Sequence, residues 1–207
     1  MDSIYGEARP ELEKVREAVL KEIRKIREEM AAELDMDPIE HLESRIKAED
    51  SMREKCRRRG LPETPESALI HIFDAVGLRI VCAFVDDVYT IRDRLAALPQ
   101  IEAIEEKDYI KNVKPNGYRS YHMIIRYDLG QKDPAAAKSI TGGKYYAEIQ
   151  LRTISMDTWA ALEHHLKYKK NIKGNVDLIE KELKRCADEL ASTDGSMQTL
   201  RDMIREL

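Results

Sequence analysis

The sequence predicts an α/β (α+β) protein, a mixed β-sheet of four to five strands flanked by helices, with helical extensions at its N- and C-terminal ends. Two stretches and one alternating order carry that reading. Between Lys144 and Arg152, apolar Tyr145, Ala147, Ile149 and Leu151 alternate with Glu148, Gln150 and Arg152, the period of a strand with one polar face. After Thr153 the spacing turns helical: Met156, Trp159, Ala160 and Leu162 cover a buried side, with Glu163 and His164 at its edge. From Val76 to Ile110 the chain reads strand, helix, strand, and residues 8–34 carry one continuous helical stripe.

Taken in order, that stripe is Leu12, Val15, Val19, Ile23, Ile26 and Met30, entered at Pro10, a residue suited to a first helical turn. His41 to Lys47 is read as a strand, because a strand sets Glu43, Arg45 and Lys47 on one face whereas a helix points Arg45 and Lys47 apart. Ser51 and Glu54 form a capping box for a basic helix that carries Lys55 and closes at Gly60. Thr64, Pro65 and Glu66 start a short helix, and Asp74 precedes the strand Val76 to Phe84, which carries Arg79. Asp86 caps the helix of Val88, Ile91, Leu95 and Leu98, and Ile101 to Ile110 is the next strand. The loop Lys111 to Gly117 leads into a strand from Arg119 to Tyr127. A hinge-like stretch with Gly130, Pro134, Gly142 and Gly143 makes a long hairpin with the strand at Lys144. From Val176 the apolar positions describe two helices separated near Ser192 to Gly195, expected to pack on the first helix or on another subunit.

Composition bounds the function. The 207 residues suit one domain: a helical extension over 1–37, a core over 38–172 and C-terminal helices over 173–207. No run reaches transmembrane length and no apolar signal region opens the chain, so no membrane is expected. Cys56, Cys82 and Cys186 lack metal-ligand spacing and read as packing residues of a cytoplasmic protein. A net charge of −4 argues against broad phosphate neutralisation on nucleic acid, although RNA is not excluded. Positive charge gathers at Arg45 to Arg59 and at Lys107 to Arg119, and each run taken alone is an ordinary solvated face.

Between those runs stand Asp74 and Glu148, on neighbouring strands by this reading. Two such carboxylates are the usual protein share of a Mg²⁺ site, the ion keeping its other positions for water and phosphate oxygens. Arg45, Lys47, Lys55 and Arg79 around them suit a polyphosphate, and an arginine also stacks on a purine. In Lys114-Pro115-Asn116-Gly117-Tyr118 the Asn-Gly pair asks for a turn with positive φ that presents Tyr118 outward. Lys114, Arg119 and His122 beside it suit one stacked base and its phosphates. A plain hairpin turn also satisfies the local pattern.

Arg45-Ile46-Lys47 with Lys55, Asp74-Ala75-Val76-Gly77-Leu78-Arg79, Lys107-Asp108-Tyr109-Ile110 followed by Lys114 to His122, and Glu148-Ile149-Gln150-Leu151-Arg152-Thr153 through Trp159, Glu163 and His164 together resemble the synthetase domain of the RelA/SpoT alarmone enzymes. The resemblance runs from about residue 40 to 170. The chain resembles a stand-alone small alarmone synthetase, its length leaving no room for the hydrolase and regulatory domains of longer relatives. The resemblance implies a nucleotidyltransferase-like fold and a GTP pyrophosphokinase. Such an enzyme transfers pyrophosphate from ATP to the 3′-hydroxyl of GDP or GTP, giving ppGpp or pppGpp and AMP in stringent-response signalling.

Carried over position by position, it puts Arg45 and Arg79 about the adenine, Lys47 and Lys55 on the ATP phosphates, and Asp74 and Glu148 on Mg²⁺. Glu148 directs the proton of the attacking hydroxyl. Tyr118 stacks on guanine, with Lys107, Lys114, Asn116, His122 and Gln150 lining the acceptor side. Arg152 is expected to face phosphate or a structural acid, and Trp159 to anchor the core. Val113 and Tyr121 depart from the family's usual proline and leucine; Tyr121 points away from His122 and is read as packing. The terminal helices suggest a homo-oligomer, and the resemblance favours a tetramer. Two other readings stand beside this one: a toxic relative that modifies adenosine nucleotides or the tRNA 3′ end, and a non-catalytic nucleotide- or RNA-binding module.

Overall fold

Helix α1 (Arg9–Leu34) takes Pro10 in its first turn and buries Leu12, Val15, Val19, Ile23, Ile26 and Met30, the whole predicted stripe. The computed structural model to which it belongs describes residues 3–130, 136–168 and 176–206. Pro134 of the hinge-like stretch and Lys170 lie outside them. Five strands form one mixed sheet: β1 (Ile39–Ile46), β2 (Val76–Cys82), β3 (Ile101–Asp108), β4 (Tyr121–Asp128) and β5 (Lys144–Thr153), in the order β1-β2-β5-β4-β3. Only β2 and β5 pair in parallel, and β4 with β5 is the predicted hairpin.

The apolar face of the sheet, Leu78 and Ile80 of β2, Met123, Ile125 and Tyr127 of β4, and Ala147 and Ile149 of β5, packs with α1 and with α3 (Val85–Ala96) into one buried cluster. Burying that face fixes the register, because a slip of one residue would turn Glu148, Gln150 and Arg152 into the core. The cover is not confined to that side. Helix α4 (Ile154–Tyr168) carries Asp157 onto Arg79 and Arg152 of the polar face.

Several local expectations are corrected. Helix α2 (Glu49–Arg58) begins after Ala48, so Ser51 lies inside it and the Ser51–Glu54 capping box does not form. The start is set from a distance: the Glu49 carboxylate accepts from the Ser3 hydroxyl and the Ile4 N–H, and the Tyr5 hydroxyl donates to the Lys47 carbonyl. The short helix expected to start at Thr64, Pro65 and Glu66 does form: residues 65–66 are helical, Ser67–His71 continue as a π-helical turn, and the Thr64 hydroxyl accepts from the Ser67 N–H. At α3 the capping carboxylate is Asp87, which accepts from the Phe84 N–H, while Asp86 is drawn to Arg201.

The C-terminal segment is one helix, α5 (Val176–Arg205), rather than two. Thr193, Ser196 and Thr199 return their hydroxyl protons to carbonyls four residues earlier, and Asp194 accepts from Thr153, so the polar stretch around Gly195 is held helical. It packs mainly on α4 and α3. Its Cys186 is exposed and not a packing residue, whereas Cys56 and Cys82 are buried.

Candidate active site

The register sets the polar side chains in two rows across the sheet. Cα partners align Glu43, Arg79, Gln150, His122 and Lys107 in one row, and Arg45, Gly77, Glu148, Ile124 and Glu105 in the next. Alternation within each strand points both rows to the face away from the core. Five strands thus deliver Arg45, Arg79, Lys107, His122, Glu148 and Gln150 to one surface, and Gly77 keeps the floor low between Arg45 and Glu148.

At one end of the rows stands Asp74, immediately before β2. Its Oδ2 accepts from Lys47 Nζ at 2.9 Å and from Lys55 Nζ at 2.5 Å. Burial pushes the carboxyl up, but the Lys55 and Lys47 ammonium groups outweigh it and hold the carboxyl below its ordinary range. Its Oδ1 is buried with no hydrogen-bond partner among the described residues. An anionic oxygen in that condition is costly unless something electropositive meets it.

Glu148 lies in a second network. Burial raises its carboxyl, and contact with His122, whose Nδ1 is 3.4 Å from Oε1, more than offsets that, with Asp74 opposing through like charge. Gln150 Nε2 donates to its Oε2 at 3.3 Å. On the far side of the imidazole, Nε2 is 2.8 Å from the Tyr118 hydroxyl, which also receives Arg152 Nη2 at 2.9 Å. Arg152 is 6% exposed and meets the structural acid Asp157 at 2.9 Å.

Two adjoining clefts open on this surface. One, of about 450 Å³, is lined by Arg45, Gly77, Arg79, Glu148 and Gln150 among others; the other, of about 610 Å³, by Lys55, Asp74, Lys107, Lys114, His122 and Glu148 among others. Glu148 lies in the wall of both. Lys114 Nζ sits 4.3 Å from the Tyr109 ring centre and 4.9 Å from that of Tyr118, and Lys107 pairs with Glu105 at 2.8 Å.

The structure separates some residues that local pattern had grouped. Gln150, expected on the acceptor side, lines the cleft of Arg45 and Arg79. Asn116 lines neither of these clefts; it accepts from the Tyr118 N–H and donates to Glu163 at 3.3 Å. Gly117 has the required positive φ of 91°, yet Tyr118 is half-buried and tethered through its hydroxyl rather than presented outward. Arg119 turns away to α5, bonding the Ala187 carbonyl and Asp188. Trp159 is a core anchor that donates to the Leu183 carbonyl, and Tyr121 is buried with its hydroxyl on Glu106.

Asp157 escaped the sequence reading, and Tyr109 entered it only as part of the Lys107 to Ile110 motif, with no role assigned. Asp157 joins Arg79, at 3.5 Å, to Arg152; its signal was an acid in the first turn of the helix five residues after an arginine. Tyr109 stands edge-on to His122 with ring centres 5.3 Å apart, and its position at the end of an acidic strand hid it.

Comparison with known proteins is consistent with this arrangement. The profile of the region found in RelA / SpoT proteins matches residues 44–173. GTP pyrophosphokinase YwaC of Bacillus subtilis (strain 168) is 40% identical over 170 residues, covering 81% of this chain and 76% of the relative. GTP pyrophosphokinase YjbM of the same organism is 34% identical over 178 residues, covering 83% and 76%. Among solved structures, small alarmone synthetase 2 from Bacillus subtilis superposes with a TM-score of 0.74 at 34% identity, over 90% of this chain and 93% of the other. Small alarmone synthetase 1 from Bacillus subtilis bound to its product pppGpp gives 0.73 at 31% identity, over 96% and 94%. A profile match over the strands that build both clefts, with relatives at this identity along most of their length, means that the chain belongs to the RelA/SpoT family.

Proposed function

We infer that the chain is a GTP pyrophosphokinase, a small alarmone synthetase that makes (p)ppGpp from ATP and GDP or GTP. One observation carries the reading: two cation-lined clefts meet at a shared carboxylate, Glu148, as a transfer between two anionic nucleotides requires. The relatives named above as GTP pyrophosphokinases support the activity.

In this reading residues 38–172 are the catalytic core of a single synthetase domain, with 1–37 and 173–207 as helical extensions. The adenine of ATP enters the first cleft between Arg45 and Arg79, and its phosphates reach past Glu148 toward Lys47 and Lys55, the latter in the wall of the second cleft. The acceptor guanosine nucleotide enters the second, with Lys107, Lys114 and His122 about its phosphates and Tyr118 against the base; Asn116 holds the turn that carries Tyr118. Gln150, on the first side of Glu148, orients that carboxylate. The acceptor 3′-oxygen attacks the β-phosphorus of ATP, the bond from that phosphorus to the α-phosphate oxygen breaks, and AMP leaves with the bridging oxygen. Glu148 takes the hydroxyl proton. Neutralisation by Lys47 and Lys55 stabilises charge as the bond breaks.

A Mg²⁺ ion fits Asp74 and Glu148. The buried, unpartnered Oδ1 of Asp74 supports a cation there. No cluster of three His, Cys, Asp or Glu able to cage a metal occurs among the described residues. When bound at Asp74 and Glu148, the ion would neutralise charge on the transferred group.

Exposed Met197, Leu200, Met203 and Ile204 on α5 support assembly into a homo-oligomer, with a tetramer as the proposed state; a monomer mass by light scattering would overturn it. Among the described residues no helix is long and apolar enough to cross a membrane, in keeping with the proposed cytoplasmic location. Offering GDP, GTP, ATP and tRNA together with labelled ATP and Mg²⁺ tests the function. The expected label is on a guanosine 3′-diphosphate; label on tRNA or an adenosine nucleotide indicates the toxic variant, and nucleotide binding without AMP release indicates a binding module.

A further inference from the structure

Arg152 stands outside the substrate and metal assignments above, yet its surroundings give it four partners: Tyr118 and Ser120 in the segment before β4, Gln150 on β5 and Asp157 on α4. Its Nε lies 3.4 Å from the Ser120 hydroxyl, Nη1 donates to Asp157 Oδ1 at 2.9 Å, and Nη2 donates to the Tyr118 hydroxyl at 2.9 Å and to Gln150 Oε1 at 3.0 Å. The guanidinium carbon is also 5.4 Å from the centre of the Tyr118 ring. Asp157 Oδ1 is shared with Arg79 of the first cleft at 3.5 Å. One arm of contacts therefore runs from Arg79 through Asp157 and Arg152 to Tyr118, from the first cleft to the aromatic group beside the second.

A second arm returns to the shared carboxylate. Arg152 holds the Gln150 carbonyl, which aims the Gln150 amide nitrogen at Glu148. The arms close through His122, whose two nitrogens contact the Tyr118 hydroxyl and Glu148. Donor accounting permits a consistent placement of the protons around this ring. Arg152 donates to the Tyr118 oxygen, so the phenolic hydrogen can point at His122 Nε2; in that tautomer the imidazole hydrogen lies on Nδ1, facing Glu148. A lysine, with one nitrogen in place of a planar fork, reaches too few of these groups at once.

We propose that Arg152 is a positioning residue for pyrophosphate transfer: it joins the two clefts and, through Tyr118 and Gln150, sets the direction of the Glu148 carboxylate. The inference rests on the synthetase reading. Its effect is expected on the chemical step more than on the binding of either nucleotide, since Arg152 is buried at the junction rather than in the lining of either cleft.

The test uses the full chain with ATP, Mg²⁺ and GDP, measuring kcat, both KM values and thermal melting for Arg152→Lys, Tyr118→Phe and the double variant. Tyr118→Phe keeps the ring and removes only the hydroxyl. Each single variant is expected to lower kcat roughly ten-fold, with both KM values within about three-fold, the size of one charge-assisted hydrogen bond lost. The double variant is expected to lose clearly less than the sum of the two single losses, because both variants remove the Arg152–Tyr118 contact. Fully additive losses, or a Tyr118→Phe enzyme with unchanged kcat, overturn the proposal; the second result stands even where Arg152→Lys fails to fold. Wild-type protein that makes no product refutes the synthetase reading and the bridge with it, whereas active wild type with silent variants refutes the bridge alone.

Discussion

Along β5, Tyr145, Ala147, Ile149 and Leu151 are each 1% exposed or less, while Glu148 and Gln150, between them on the other face, remain partly open to solvent. The two faces are separated by the thickness of one strand and obey different rules. On the inner face a side chain matters through its volume, and apolar replacements of similar size are tolerated. On the outer face it matters through its partners. Asp74 is held by two lysines, Glu148 by His122 and Gln150, and Arg152 by Asp157, Tyr118 and Gln150, so deleting one group strands another. Stability and activity should therefore separate cleanly between neighbouring residues.

The largest loss of stability is expected from the inner face. Ile149→Ala should cost about 3 kcal/mol in denaturant unfolding, the transfer and cavity cost of a fully buried isoleucine, while turnover per folded molecule changes little. A variant that keeps its stability but loses turnover would break the contrast.

Gly117→Ala sharpens the boundary between the faces. At φ 91° a Cβ would stand 2.6 Å from the Ala187 Cβ and 3.1 Å from the Lys184 Cα, so the loop must lift off α5. The acceptor KM should rise roughly ten-fold with the donor KM unchanged, because strain of a few kcal/mol falls on the Tyr118 loop alone. Equal rises in both KM values would mean that the loop does not divide the clefts.

The smallest effect is a pH dependence at the far end of α3. The Asp87 carboxyl is pushed up to about 6 by burial and by the charge of Asp86. A raised acid favours the folded state while protonated, so its contribution is full below the ordinary carboxylate range and lost as pH rises through about 6. Asp86, held low chiefly by the Arg201 hydrogen bond, contributes in the opposite sense, losing its share as pH falls. Asp87→Asn retains an acceptor for the Phe84 N–H and should flatten the fall in melting temperature from about pH 4 to 7, leaving turnover alone. An unchanged pH slope would contradict this.

The sheet and the outer-face cluster were legible because both follow from periods that the chain carries locally. Alternation along β5 and the stripe of α1 are properties of single segments, and the face of Glu43, Arg45 and Lys47 follows once His41 to Lys47 is a strand. What stayed hidden depends on distant partners. The start of α2 is decided by Ser3 and Ile4 reaching Glu49, and the continuity of α5 by Thr153 and Asp86 gripping Asp194 and Arg201. Gln150 falls on the Arg79 side because of the parallel pairing of β2 with β5, which alternation does not specify. Asp157 emerged as a link only once a helix start was seen to face two strands.

The central claim is that the outer face is a pyrophosphotransfer site organised on Glu148, and the most direct measurement is AMP release by Glu148→Gln in the presence of ATP, GDP and Mg²⁺. The substitution keeps the shape and removes the carboxylate that faces both clefts. The expected result is a fall in kcat of about 1,000-fold or more, with the melting temperature within a few degrees of the parent chain. Near-parental turnover from a folded Glu148→Gln protein would contradict it.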